Sequence, residues 1–389
     1  MRNYIHDVPT RLYFGKGQIC HLEEELNEFG ENVLLVYGGG SIKKTGLYDE
    51  ILKILNDGEF HVTELSGVEP NPRIDTVRKG VALCKEHQID VVLAVGGGST
   101  IDCSKAIAGG VFYPGDLWDM VKEYTTIGCL ALPLVDILTV AATGSEFDGV
   151  AVISNPETKE KLAARFNYPN VSICDPTYTF TVSAYQTAAG SIDIMSHIME
   201  GYFANEADSD LSEGIAETIL KSVINNMPIA LKEPDNYSAR ANLMANASLA
   251  CSKIPEYGKE DTGWVCHGME HELSAYYDVT HGVGLAILTP RWMRHILEKD
   301  PSCAWRFVKF AKNVWGLEGD DEMALAKAGI DALENFFKES GVPMTLTELG
   351  ITDEHFEEMA EHAGGKGRFL KSFVPLDTKD VVEIFKACL

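Results

Sequence analysis

Asp90-Val-Val-Leu-Ala-Val95-Gly96-Gly97-Gly98-Ser99 is the stretch from which the architecture can be read. A short apolar, β-branched run of this kind suits a strand buried on both faces, and it stops abruptly at three glycines. Ser99 and Asp102 then have the spacing of a capping pair, which predicts a helix directly after the turn. The same order occurs earlier in the chain. Asn32-Val-Leu-Leu-Val-Tyr37 ends in Gly38-Gly39-Gly40-Ser41, and Leu47, Ile51 and Leu55 continue at helical spacing. Between the two junctions, residues 60–65 read as a strand. The turn Glu69-Pro70-Asn71-Pro72 follows, and residues 75–86 read as a helix. Buried strands separated by helices predict an α/β domain with a parallel sheet.

Two strand-to-glycine-to-helix junctions also predict chemistry. Glycines let backbone N–H groups approach an oxyanion, and the helix that follows offers free amides and a partial positive charge to a phosphate. A dinucleotide in such a fold sits at the carboxyl ends of the strands. Neither junction is G-x-G-x-x-G, because Lys43 and Ile101 occupy the last position, and neither is a P-loop. The domain is therefore Rossmann-like without the usual fingerprint. Where a NAD site would carry an acidic residue for the ribose 2′-hydroxyl, the first junction offers Gly38, Gly39, Ser41, Lys43 and Lys44. Small residues, a hydroxyl and two cations suit a 2′-phosphate, so NADP(H) is expected over NAD(H). The segment from Thr139 to Glu146, rich in hydroxyls and small residues, could line a phosphate or ribose after a strand-like stretch at 129–133.

Beyond Pro176 strand signals fade and long amphipathic segments appear at 209–231, 304–315 and 321–339. A boundary near Phe180 is expected, giving a dinucleotide-binding α/β domain over 1–180 and an all-α metal-binding domain over 181–389. The Gly-rich, basic segment Gly364-Gly-Lys-Gly-Arg368 reads as a surface turn.

A formal net charge of −25 and a pI near 4.8 disfavour nucleic acid and anionic membrane as partners. The N-terminus lacks the apolar core of a signal peptide, and the most apolar window, 129–142, is too short to span a bilayer. Nine cysteines without a C-x-x-C pair fit reduced thiols in a cytoplasmic protein.

The second half contains Asp193-Ile-Met-Ser-His197, His267-Gly-Met-Glu-His271 and His281-Gly282. Residues four apart on a helix share a face, so each of the first two segments can turn a pair of side chains toward one ion. One carboxylate with several imidazoles suits Zn²⁺ or Fe²⁺ better than Ca²⁺ or Mg²⁺. Cys266 adjoins His267 but points about 100° away on a helix and is expected in the core. His267 to His271 also spells H-x-x-E-H, the arrangement of inverted zinc peptidases in which the Glu is the base. That reading leaves both glycine junctions unexplained.

Taken together, these residues resemble the iron-containing (group III) alcohol dehydrogenases, in the branch of butanol dehydrogenases and NADPH-dependent aldehyde reductases. The resemblance rests on Tyr13-Phe-Gly15, Tyr37-Gly-Gly-Gly-Ser41, Glu69-Pro-Asn-Pro72, Ala94 to Ser99, Ala142-Thr-Gly-Ser-Glu146, Asp193 and His197, Trp264 to Glu272, and His281-Gly282. It implies that Asp193, His197, His267 and His281 ligate Fe²⁺ or Zn²⁺ and that His271 stands beside the substrate as the proton-transferring group. Gly97, Gly98 and Ser99 would cradle the pyrophosphate, with Asp102 and Asn71 nearby. Thr139, Thr143, Lys161 and Tyr178 would line ribose and nicotinamide, and Gly39, Gly40 and Ser41 the 2′-phosphate. The implied reaction is hydride transfer between a nicotinamide and a small aldehyde or primary alcohol, in a homodimer. A polyol dehydrogenase of the same superfamily would share the two-domain plan, and a nucleotide-binding protein with a structural metal would bind both ligands without turnover. Gly364 to Arg368 matches no part of the family pattern.

Overall fold

The computed structural model describes residues 1–123 and 130–389. Its first strands form where apolar runs meet glycines: β1 (Arg11–Phe14), β2 (Asn32–Tyr37), β3 (His61–Ser66) and β4 (Val91–Gly96). β5 (Leu134–Leu138) and β8 (Val171–Cys174) complete a six-stranded parallel sheet in the order β1-β8-β5-β4-β2-β3. Alternate residues feed two cores. Leu34, Val36, Val92 and Ala94 pack on one side, while Val33, Leu35, Tyr37, Val91, Leu93 and Val95 pack on the other. Both faces are buried, which is why β2 and β4 read as continuous apolar runs. Each fully buried Val or Leu contributes about 1.5–3 kcal/mol.

The chain leaves β2 toward β3 on one side and returns to β4 on the other, so the sheet reverses direction between β2 and β4. Both glycine junctions end at this switch point. The helix after β4 runs Gly98–Gly110, and a short helix Ser41–Thr45 follows β2.

The strand before Thr139 is displaced from its expected position: it begins after Pro133 and covers 134–138. Cys129, the start of both the expected strand and the apolar window, lies outside the described residues. A two-stranded antiparallel hairpin, β6 (Val150–Asn155) with β7 (Glu160–Arg165), interrupts the parallel order and carries Lys161 opposite Ser154. Eight cysteines of the described residues are free thiols.

The chain divides into two units. One comprises Asp7–Val182 with Pro234–Ser252, and the other Met1–His6, Ser183–Glu233 and Lys253–Leu389. The change at 182/183 lies beside the expected boundary near Phe180, but a single cut into 1–180 and 181–389 does not describe the division. The helix Tyr237–Ala250 belongs with the sheet because Ser248 on it donates a hydrogen bond of 2.6 Å to the buried Glu146. The second unit is helical, with no strand among the described residues. Its helices Asp210–Lys232, Ala304–Asn313 and Glu322–Glu339 fall on the amphipathic segments of the sequence. No helix among the described residues is long and apolar enough to cross a membrane.

Candidate functional site

In the helical unit, Asp193 and His197 lie on the helix Ala184–Tyr202, which is buried on every side from Thr187 onward. His267 and His271 lie on Val265–Tyr277, and His281 opens the helix His281–Lys299. Gly282 brings the helix His281–Lys299 against Ala184–Tyr202: a Cβ there would lie 2.0 Å from the Ala189 carbonyl oxygen. No other residue type fits this approach.

Three imidazoles converge on one carboxylate oxygen. His197 Nε2 and His281 Nε2 are each 3.5 Å from Asp193 Oδ1, and His267 Nε2 is 3.7 Å away. These separations exceed good hydrogen bonds. They match the edge of a coordination tetrahedron with bonds of about 2.1 Å, roughly 3.4 Å. Asp193 Oδ1 and His267 Nε2 are buried without any hydrogen-bond partner, a costly state for polar atoms unless an ion satisfies them. The donor set therefore fits a borderline divalent cation such as Fe²⁺ or Zn²⁺.

Two carboxylates stand behind the imidazoles. Glu200 Oε1 lies 2.9 Å from His267 Nδ1 and also accepts the His267 backbone N–H at 2.9 Å. Glu270 contacts His281 Nδ1 and accepts from the Ser274 hydroxyl. With Nδ1 donating to a carboxylate, each ring presents its Nε2 lone pair to the centre, the arrangement seen behind metal-ligating histidines. Burial drives His197 down to about 3, so it is a neutral donor at any working pH. Burial also opposes charge on His267, but Asp193 and Glu200 outweigh it and lift this ring to about 9. Burial raises Asp193 too; the neighbouring His197, His281 and His267 more than reverse this and hold it well below the usual carboxylate range.

Exposure differs around the centre. The side chains of Asp193, His197 and His267 are at most 7% exposed and that of His281 is 24% exposed, so the open side is at His281. His271 is buried, with its ring 5.8 Å from that of His281, and it groups with Glu270 and His281 rather than with Asp193, His197 and His267. Trp264 walls the other side, 5.0 Å from the His267 ring and 5.8 Å from that of His197. Its φ of +52° is an uncommon conformation for a bulky residue, the kind of strain that collects at functional sites. Cys266 is buried in the core, as its place on the helix predicts. Glu270, the base of the H-x-x-E-H reading, is fully buried behind His281 and does not face the centre. Gly365–Lys371 forms a 3-10 helix on which exposed Arg368 donates to the Gly263 carbonyl at 2.9 Å; the Lys366 side chain lies outside the described set.

In the sheet unit, a crevice of about 480 Å³ opens at the switch point. Of the expected cofactor residues, Gly39, Ser41, Gly97, Ser99 and Thr139 line it, together with Gly67, Val68, Glu69, Pro70 and Val140. No side chain caps the helix that starts at Gly98, so its first amides remain available to an oxyanion. Gly98 itself is required, since a Cβ would lie 2.1 Å from Thr143 Oγ1. The Ser99 hydroxyl donates to the Pro70 carbonyl and so ties the two walls together.

Gly40, Gly98, Asn71, Asp102, Thr143, Lys161 and Tyr178 do not line the crevice. Asp102 is buried and accepts from Ser145 at 2.5 Å and from the Val152 N–H at 2.9 Å, which makes it an anchor for the hairpin. Lys161 is buried on β7, and Tyr178 packs against the core on the 3-10 helix Pro176–Thr179. The sequence reading missed Glu200, although Asp193, His197 and Glu200 fall at i, i+4 and i+7 on one helical stripe, a signal that could have found it.

Residues 9–176 match the family model described as iron-containing alcohol dehydrogenase, and residues 187–389 match that of the C-terminal part of the Fe-containing alcohol dehydrogenase family. The chain is 50% identical over 390 residues to NADH-dependent butanol dehydrogenase A of Clostridium acetobutylicum, covering 99% of each. It is 37% identical over 356 residues to the NADPH-dependent aldehyde reductase YqhD of Escherichia coli, covering 90% of each. The solved structure of NADH-dependent butanol dehydrogenase A from Thermotoga maritima superposes with a TM-score of 0.94 at 38% identity, over 100% of this chain and 99% of that one. An α/β unit with glycine junctions, a helical unit with one carboxylate among three imidazoles, and matches over nearly the whole length lead to one assignment: the chain belongs to the iron-containing alcohol dehydrogenase family.

Proposed function

We propose that the protein is a metal-dependent, NAD(P)H-linked alcohol dehydrogenase that interconverts small aldehydes and primary alcohols such as butyraldehyde and butanol. The observation that carries this reading is the convergence of three Nε2 atoms on Asp193 Oδ1, backed by Glu200 and Glu270. A divalent cation held by Asp193, His197, His267 and His281 would supply Lewis acidity toward the substrate oxygen, and a dinucleotide would supply or accept the hydride. Asp193 would contribute the single formal charge of the donor set, and the imidazoles, neutral once the cation has displaced the proton from His267, would leave the centre net positive. Glu200 and Glu270 fix ring orientation. His271, near the open side at His281, is the group whose ring nitrogen would pass a proton to the product oxygen during reduction.

The glycine junctions support a dinucleotide in the crevice, with the first turn of Gly98–Gly110 toward its pyrophosphate. Gly39 and Ser41 present no carboxylate at the 2′ end, which supports acceptance of NADPH as well as NADH. The names of the butanol dehydrogenases above favour NADH as a second reading. A homodimer in the cytoplasm completes the proposal, on the family resemblance and the thiol content. The test is anaerobic reduction of butyraldehyde by protein reconstituted with Fe²⁺ or Zn²⁺, with NADPH and NADH in parallel. Metal-dependent oxidation of either cofactor is expected; its absence with both metals would shift weight to a polyol substrate or a non-enzymatic role.

A further inference from the structure

Tyr37, the last residue of β2, and Tyr48, on the helix Leu47–Asp57, meet edge to face with ring centroids 5.7 Å apart. The Lys43 ammonium lies over both, 4.9 Å from the centroid of Tyr37 and 4.3 Å from that of Tyr48. Both hydroxyls donate to one carboxylate: Tyr37 to Glu64 Oε2 at 2.6 Å and Tyr48 to Glu64 Oε1 at 2.9 Å. Glu64 is on β3, whose register sets it beside Leu35, two residues before Tyr37 and on the same face. The two rings thus hold a cation against their faces and an anion at their hydroxyl ends. Contact with the Tyr37 hydroxyl, helped by the charge of Glu64, raises the Lys43 ammonium above its ordinary value.

This cluster adjoins the turn whose residues Gly38, Gly39 and Ser41 line the crevice. Lys43 and Lys44 are the cations of the helix that follows. A carboxylate-free turn admits a 2′-phosphate, but admission is not preference. Preference needs a cation whose charge is not already matched, and the Glu64 charge offsets that of Lys43 while adding its own repulsion toward a phosphate.

We infer that Glu64, acting through Tyr37 and Tyr48, sets the nucleotide selectivity of the crevice by keeping the Lys43 cation paired on the tyrosine faces, so that a ribose 2′-phosphate gains little from it. The inference rests on the reading that the crevice takes a dinucleotide. Glu64 and the tyrosines are positioning residues here, and Lys43 is the group they position.

The test compares kcat/KM for NADPH and NADH in the wild type, Glu64→Gln, Lys43→Met and the double variant. Taking the two cofactors' ratio on one preparation cancels any loss of active protein. Glu64→Gln should raise the NADPH:NADH ratio by up to about tenfold at low salt, the scale of removing one like charge from the neighbourhood of a phosphate dianion. The gain should shrink in 0.5 M salt, and Tyr48→Phe should shift the ratio the same way by less. In the Lys43→Met background, Glu64→Gln should gain no more than about twofold, because the two substitutions share one route. Competition of 2′,5′-ADP against 5′-AMP for the crevice, followed by tryptophan fluorescence, should move in parallel without any turnover. An unchanged ratio in Glu64→Gln, or an equal gain with Lys43 removed, would overturn the inference while leaving the dehydrogenase intact. A wild type that neither binds nor oxidises either cofactor would overturn the reading beneath it as well.

Discussion

Gly282→Ala is the smallest change that should dismantle the proposed metal centre. The added Cβ would meet the Ala189 carbonyl oxygen at 2.0 Å, its carbon at 2.6 Å and the Ala189 Cα at 3.0 Å. An ordinary carbon–oxygen contact is about 3.3 Å, so the two helices must part by about 1.3 Å. Residue 189 is the acceptor for the N–H of residue 193 in a helix, so the strain reaches the turn that carries Asp193. On the other side of the contact is His281, one residue from the new methyl. A metal–ligand bond tolerates about 0.2 Å of error, several-fold less than the required shift. His281 should therefore drop out of the donor set, with a loss of Zn²⁺ or Fe²⁺ affinity of about 100-fold or more, beyond what disturbing an outer partner costs. Overpacking adds about 1–3 kcal/mol of destabilisation. Metal content after dialysis against a chelator-buffered series, together with urea unfolding, measures both effects. Ala189→Gly should not rescue the variant, because the clash is with backbone. Metal affinity within twofold of wild type would refute the reasoning.

Three other outcomes follow from the site and the sheet. Glu270→Gln should weaken metal affinity about 10–100-fold by releasing His281, whereas a peptidase base would keep its metal and lose only hydrolysis, so a metal titration separates the two. His271→Ala should retain full metal content by elemental analysis and lose turnover; a variant that lost its metal would count against the role given to it. Burial lifts Glu146 from an ordinary 4.5 to about 7, so its contribution to stability is complete below about pH 4.5 and fades as pH rises through 7. Wild type minus Glu146→Gln, by urea unfolding at pH 5 and pH 8, should differ by up to roughly 3 kcal/mol, with wild type relatively weaker at pH 8; equal differences at both would contradict this.

Most of the sheet was legible because β2 and β4 are buried on both faces and end in glycines. The short edge strand β1 and its neighbour β8, of four residues each, give too little pattern to stand out. The hairpin was hidden because β7 carries Glu160, Lys161 and Arg165, which read as a loop. In the site, residue type and spacing pick out Asp193, His197, His267, His271 and His281 together, and only the family resemblance sets His271 apart from the other four. Sequence spacing misassigned what lies behind them. Glu270 looks like a base beside His267 and His271, yet the chain reversal at Thr280 brings His281 over it. Asp102 looks like part of the phosphate turn, yet it lies beyond the first turn of Gly98–Gly110 and bonds to Ser145 and to Val152 of the hairpin. Contacts made by reversals and by distant strands have no local signature.

The assignment of Pro234–Ser252 to the sheet unit has a consequence for how the chain is made. The polypeptide changes unit after His6, Val182, Glu233 and Ser252. A ribosome that has released residues 1–182 has delivered the whole parallel sheet but not the helix that covers Glu146, so that carboxyl waits without its Ser248 partner while some fifty residues of the other unit are translated. The sheet unit is thus finished only after the helical unit has begun. Neither can mature as an independent cassette, and a gene fusion or truncation cut near residue 180 would separate each unit from part of itself.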